Sequence, residues 1–208
     1  RRAALGILRT IIENNLPLDV VASIKLALAQ FTHEFEQEKT QALVTAFVYE
    51  RLKGYCLEQG FSIDEFEAVK AIAPAKPTDF MARLHAVKSF RALVEADSLA
   101  AANKRIANIL KKSESVTIKV IDGLEETAEL ALLASAEQAE QAIKPLLAKH
   151  NYQAALNRLA VLRPEVDAFF DEVMVMCEDL NLREQRLALL TKLSTLFLQI
   201  ADISKLQG

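Results

Sequence analysis

"AAANKRIANILKK", Ala100 to Lys112, holds four cations and two amides without a single acid, in a chain whose formal net charge is −3. Stepped at about 100° per residue, it gathers Leu99, Ala102, Ile106, Ile109 and Leu110 on one broad face. Lys104, Asn108 and Lys111 fall within about 60° of one another on the opposite side, flanked by Arg105 and Lys112. The stretch therefore predicts an amphipathic helix with a core side and a wholly basic side.

Helical periodicity recurs along the rest of the chain. Only five Gly and five Pro occur, while Ala, Leu, Glu, Lys and Gln are plentiful, which favours helices over a turn-rich β fold. The expected class is all-α, a helical bundle. Helices are predicted at about Ala3 to Asn14, Leu18 to Phe31 and Glu36 to Gln59, the last closed by Gly60. Ser62 and Glu65 form a capping-box pattern opening a short helix to Ile72. Two prolines in "APAKPTD", Ala73 to Asp79, mark a linker and a domain boundary, giving sections 1–76 and 77–208.

Beyond the boundary, a helix over Phe80 to Glu95 is expected to be capped by Thr78 or Asp79, and the basic helix by Asp97 or Ser98. Ser113 to Gly123 alternates in strand fashion and ends in Asp-Gly, so a loop or one short strand is expected there. Long helices follow over Glu125 to Lys149, Tyr152 to Leu162, from Pro164 onward, and Leu182 to Ile200. The first residues already stand at helical spacing without an initiating Met, so the sequence reads as part of a longer chain.

Several chemistries are excluded by what the sequence lacks. There is no GxxxxGK[ST], GxGxxG or GxSxG, so no phosphate cradle or nucleophile elbow is expected. His33, His85 and His150 are far apart, with no metal-ligand spacing around them. No catalytic or metal site is expected, and the histidines are read as structural or surface residues. Cys56 and Cys177 are solitary, which suits neutral thiols in a reducing compartment. No apolar run approaches the ~18 residues that span a bilayer, and "RRAALG" lacks a signal-peptide core, so the expected location is cytoplasmic.

On spacing alone, a charged helix face is more commonly a solvated one, and a sequence pI of 5.7 argues against a general nucleic-acid binder. A local RNA-facing patch is the sharper reading: Lys supplies point charges, Arg a planar fork, and Asn a donor and an acceptor toward base edges. Arg158, Arg163, Arg183 and Arg186 could extend such a patch. Tyr152 and the adjacent Phe169 and Phe170 are candidate stacking groups, although a Phe in a helical domain more often packs in the core.

Four stretches, taken together, point to a family. They are "RRAALGILR" (Arg1 to Arg9), "AAANKRIANILKK", "VDAFFDEVMVMCEDLNLREQRLALL" (Val166 to Leu190) and "LFLQIADISKLQ" (Leu196 to Gln207). In order and ending they resemble the C-terminal part of the β subunits of bacterial two-subunit glycyl-tRNA synthetases, over essentially the whole chain. From about Ser98 onward the chain is also similar to the helical anticodon-binding domain of arginyl-tRNA synthetases. "KRIANIL" and "EDLNLREQRLALL" stand where that domain opens and closes.

The resemblance implies a non-catalytic part of a glycine–tRNA ligase, directed at the anticodon of glycine tRNA. ATP and glycine are then expected at the companion α subunit, with no cofactor in this chain and no DNA or membrane partner. The residues expected to face tRNA are Asn103, Lys104, Arg105, Asn108, Lys111 and Lys112, with Arg183 and Arg186 as second choices. The competing expectation is a helical interaction module that docks the companion subunit or the remainder of its own chain; its docking face should be apolar with aromatic anchors.

Overall fold

Capping chemistry sets many of the helix boundaries in the computed structural model, which describes residues 1–113 and 121–206. Among the described residues there are ten α-helices and no strand. They are α1 (Arg2–Glu13), α2 (Val20–Leu28), α3 (Gln37–Glu58), α4 (Ile63–Lys70), α5 (Pro77–Arg91), α6 (Ala96–Lys112), α7 (Thr127–Ala148), α8 (Tyr152–Ala160), α9 (Arg163–Glu172) and α10 (Leu180–Leu198). A short 3₁₀ turn, Ile203–Lys205, follows. The all-α class is therefore the observed one.

Gly60 ends α3 with φ +81°, the left-handed region that glycine enters at least cost. The Ser62 hydroxyl accepts from the Glu65 backbone N–H at 3.2 Å, and the Glu65 carboxylate accepts from the Ser62 N–H at 2.8 Å, completing the expected capping box. Asn151 and Asp179 cap α8 and α10 in the same side-chain-to-backbone manner.

Two expected caps differ. Helix α5 begins at Pro77 with Lys76 before it, so Thr78 and Asp79 already lie inside the first turn. A proline at the first helical position needs no partner for a missing N–H, and it moves the start upstream. Helix α6 starts at Ala96 without a side-chain cap, because a turn from Leu93 runs directly into it. Asp97 stays exposed, and the Ser98 hydroxyl is used between helices, donating to Asp167 Oδ1 at 2.7 Å. Of the expected loop or strand at Ser113 to Gly123, residues 114–120 lie outside the described residues.

One apolar core runs from Leu8 to Leu206. Helix α5 is its shared element: Phe80, Leu84, Val87 and Phe90 are all sealed from solvent, packing toward α1 and α4 on one side and α8 on the other. Phe80 meets Phe66 of α4 at 5.0 Å between ring centres. The chain's final segment returns across this core, and the Asp202 N–H donates to the Ala68 carbonyl of α4 at 2.9 Å. Arg83 of α5 donates to the carbonyls of Gln199 and Ile200 at 2.7 and 3.0 Å, satisfying the open C-terminal end of α10. Cys56 is fully buried, and that burial pushes its thiol up to about 12, leaving it neutral.

Candidate nucleic-acid interface

Helix α6 divides along the two faces that its sequence spacing predicts. Leu99, Ala102 and Ile106 are buried, and Ile109 and Leu110 are half-buried against the core. Lys104, Arg105, Asn108, Lys111 and Lys112 are all exposed on the outer side. None of these four cations pairs with a carboxylate among the described residues. Lys111 and Lys112 occupy the last turn, where the helix dipole favours positive charge.

Asn103 does not share that outer face. It lies about 40° round the helix from Leu99, is only 6% exposed, and spends its amide donor on the Leu99 carbonyl at 2.9 Å. Inside the helix contact it has no route to an RNA base.

Arg186 is likewise taken inward, at 3% exposure. Its guanidinium donates to the Glu129 carboxylate, to Glu126 Oε1 at 2.6 Å and to the Met174 carbonyl at 2.9 Å. Burial lowers its pKa, but the hydrogen bond to Glu129, the charge of that carboxylate and smaller contributions from Cys177 and Glu126 together outweigh this and raise it, so the charge is fixed. Glu129 in turn accepts from the N–H groups of Glu125 and Glu126 at 3.0 Å each, so both its oxygens are engaged. This residue pair clamps α10 to the start of α7. Arg183 stands half-buried in the first turn of α10.

The remaining candidates separate in the same way. Arg158 is exposed on α8, whereas Arg163 binds Asp167 at 3.3 Å and the Val94 carbonyl at 3.2 Å. Tyr152 is 3% exposed and donates to Asp79 Oδ1, which removes it as a stacking platform. Phe169 is fully buried, while its neighbour Phe170 is half-buried and turned toward α6. There the Arg105 guanidinium carbon lies 4.3 Å from the Phe170 ring centre. Sequence spacing gives no sign of this contact, because its partners are 65 positions apart on different helices; the one available hint was that two adjacent helical phenylalanines cannot share a core direction.

His33 and His85 are exposed, and His85 packs at 4.9 Å from the Phe61 ring. His150 is exposed in a left-handed backbone conformation with Nδ1 2.8 Å from the Tyr152 hydroxyl. The outer side of α6 thus presents point charges at Lys104, Lys111 and Lys112, a planar fork at Arg105, and an amide at Asn108 that both donates and accepts.

Two family models match parts of this chain. Residues 99–205 match the family model of the DALR anticodon binding domain, and residues 1–71 match that of the glycyl-tRNA synthetase beta subunit. The glycine–tRNA ligase beta subunits of Acinetobacter baylyi and Vibrio parahaemolyticus are both 47% identical, over 210 and 209 residues and all of this chain. That of Ectopseudomonas mendocina is 43% identical over 208 residues, or 99% of this chain. The chain spans 30% of the length of each of these relatives.

Proposed function

Because the chain belongs to the DALR anticodon binding domain family, we propose that its section 77–208 binds the anticodon arm of glycine tRNA through the outer side of α6. The observation that carries this reading is the exposed row Lys104, Arg105, Asn108, Lys111 and Lys112 on the first helix of the matched region. Neutralising phosphates supplies most of the affinity of such a surface, and a few polar or stacking groups supply base discrimination. Asn103 and Arg186 are buried and act in packing.

On this reading the chain is the tRNA-recognising part of a cytoplasmic glycine–tRNA ligase, an aminoacyl-tRNA synthetase that joins glycine to its tRNA at the expense of ATP. The companion α subunit holds ATP and glycine. This chain contributes positioning, since binding energy spent at the anticodon holds the distant acceptor end in place. No described helix is long and apolar enough to cross a membrane.

The test is titration of the 208-residue protein with glycine tRNA and with an anticodon-altered copy, each at two salt concentrations. Tighter binding of the unaltered tRNA, weakened by salt, is expected. Equal affinity for both RNAs, or none at low salt, contradicts the reading.

Section 1–76 supports a second role. Helix α2 has no buried residue, although its sequence is VVASIKLAL, and it packs chiefly on α3. Leu26 is 69% exposed and Leu43 64%. Between the two helices, Val21, Ala42, Ala46, Tyr49 and Ala73 line a groove of about 590 Å³ rimmed by the polar Glu38, Gln41, Thr45 and Lys70. Contiguous apolar surface of this kind marks protein contact, and the reading assigns it to the companion subunit or to the remaining length that the relatives possess. Leu43→Asp is expected to weaken assembly of the full-length protein while sparing RNA affinity.

A further inference from the structure

Among the described residues three arginines sit over aromatic rings, and one of the three is placed to receive a ligand. Arg83 lies 4.1 Å from the Tyr152 ring centre, but its Nε is spent on Asp79 at 2.8 Å and its Nη1 on the Gln199 and Ile200 carbonyls. Arg51 lies 4.7 Å from the Phe47 ring and pairs with Glu50 at 3.1 Å. Arg105 lies 4.3 Å from the Phe170 ring, is exposed, and has no ion pair among the described residues. Its guanidinium is held from behind by a ring and open in front to water.

The holder is itself fixed. Phe170 packs edge-on against the fully buried Phe169, 5.5 Å between centres and 78° between planes. The register of α9 against α6 is set at the other end by the Ser98 hydroxyl on Asp167 and by Arg163 on the Val94 carbonyl. A planar cation arrested on a ring has already lost much of the rotamer freedom that a loose arginine would lose on binding. Asn108 stands one helical turn further along the same exposed face, and Lys104 immediately precedes.

We infer that Arg105, backed by Phe170, is a stacking platform for one unpaired RNA base, with Asn108 meeting the polar edge of that base. Unpaired bases of RNA loops are bound by stacking on rings or guanidinium planes while their edges are hydrogen-bonded. The ligand class is therefore a splayed nucleobase within a single-stranded loop, and duplex RNA has none to offer. This inference rests on the RNA-binding role proposed for α6.

The experiment measures affinity of the glycine-tRNA anticodon stem–loop, and of versions made abasic at each loop position in turn, for the wild type, Arg105→Lys, Phe170→Leu and Asn108→Ala. Arg105→Lys keeps the charge and removes the plane. It is expected to weaken binding about five- to 150-fold, the range for loss of one stacked base, with the salt dependence unchanged. With the RNA lacking the stacked base, wild type and Arg105→Lys should bind alike. Phe170→Leu should mimic Arg105→Lys, and the double variant should be no weaker than either single one. Asn108→Ala should narrow the preference among bases at that one position.

If the wild type binds the stem–loop and Arg105→Lys binds within about twofold of it, outside the range expected for stacking, the platform is refuted while the RNA-binding role stands. If the wild type binds no stem–loop, both fail. Arg105 is a surface side chain, so its variant answers the question even if Phe170→Leu folds poorly.

Discussion

Arg186 of α10 and Glu129 of α7 form an ion pair withdrawn from water, at 3% and 0% side-chain exposure. Every oxygen of Glu129 and every nitrogen of the Arg186 guanidinium has a partner in the protein. Such a pair stabilises little over an apolar substitute, but removing one member strands the other charge. Arg186→Leu is therefore expected to lower stability by about 3–5 kcal/mol, read by urea denaturation. RNA affinity of the folded fraction should be unchanged, because this cation does not reach the surface.

Gly60→Ala isolates a backbone effect. The added Cβ meets nothing nearer than Lys88 Nζ at 4.0 Å, so only the positive φ opposes it. A loss of about 1–2 kcal/mol is expected from chemical denaturation, and no loss would show that α3 ends without need of the left-handed turn.

The Asp79 cluster gives a pH dependence of definite sign. Burial raises the Asp79 carboxyl, but hydrogen bonds from Tyr152 and Arg83 outweigh it and hold it below the ordinary carboxylate value. A depressed folded pKa stabilises fully above the unfolded value, near pH 4, and is lost as pH falls through the folded one. The urea midpoint of wild type should thus exceed that of Asp79→Asn by a constant amount from pH 5 to 9, and the gap should close below about pH 4. Burial and Asp79 push Tyr152 up to about 12, so a second loss, absent in Tyr152→Phe, is expected as pH rises from about 10 through 12.

The neighbours Asn103 and Lys104 of α6 should behave oppositely. Asn103→Ala trades one helix-backbone bond for better helix propensity and is expected to leave RNA affinity unaltered. Lys104→Ala should weaken all RNA sequences alike and reduce the slope of log affinity against log salt by about 0.7–0.9, the loss of one phosphate contact. A slope unchanged by Lys104→Ala would place the phosphates elsewhere.

How much of this was legible in the sequence follows the range of the forces involved. The capping box at Ser62 and Glu65, the left-handed Gly60 and the two faces of α6 depend on neighbours within four residues, and they read correctly. Asn103 was open to the same treatment: its angle from Leu99 puts it on the buried side, yet its polarity suggested the outer one. Arg186 was not open to it, since nothing local says that Glu129, 57 positions earlier, waits in the core. Tyr152 needed Asp79, and the Arg105 platform needed Phe170, for the same reason. Charge reads from sequence; the burial of a charge is decided by tertiary packing.

RNA either covers the outer side of α6 or leaves it open to solvent. Lysine acetylation of the protein with and without glycine tRNA, read peptide by peptide by mass spectrometry, tests this directly. Strong protection of Lys104, Lys111 and Lys112 is expected, with Lys25, Lys39 and Lys144 reacting as before. Unchanged reactivity of the three α6 lysines under saturating tRNA would contradict it.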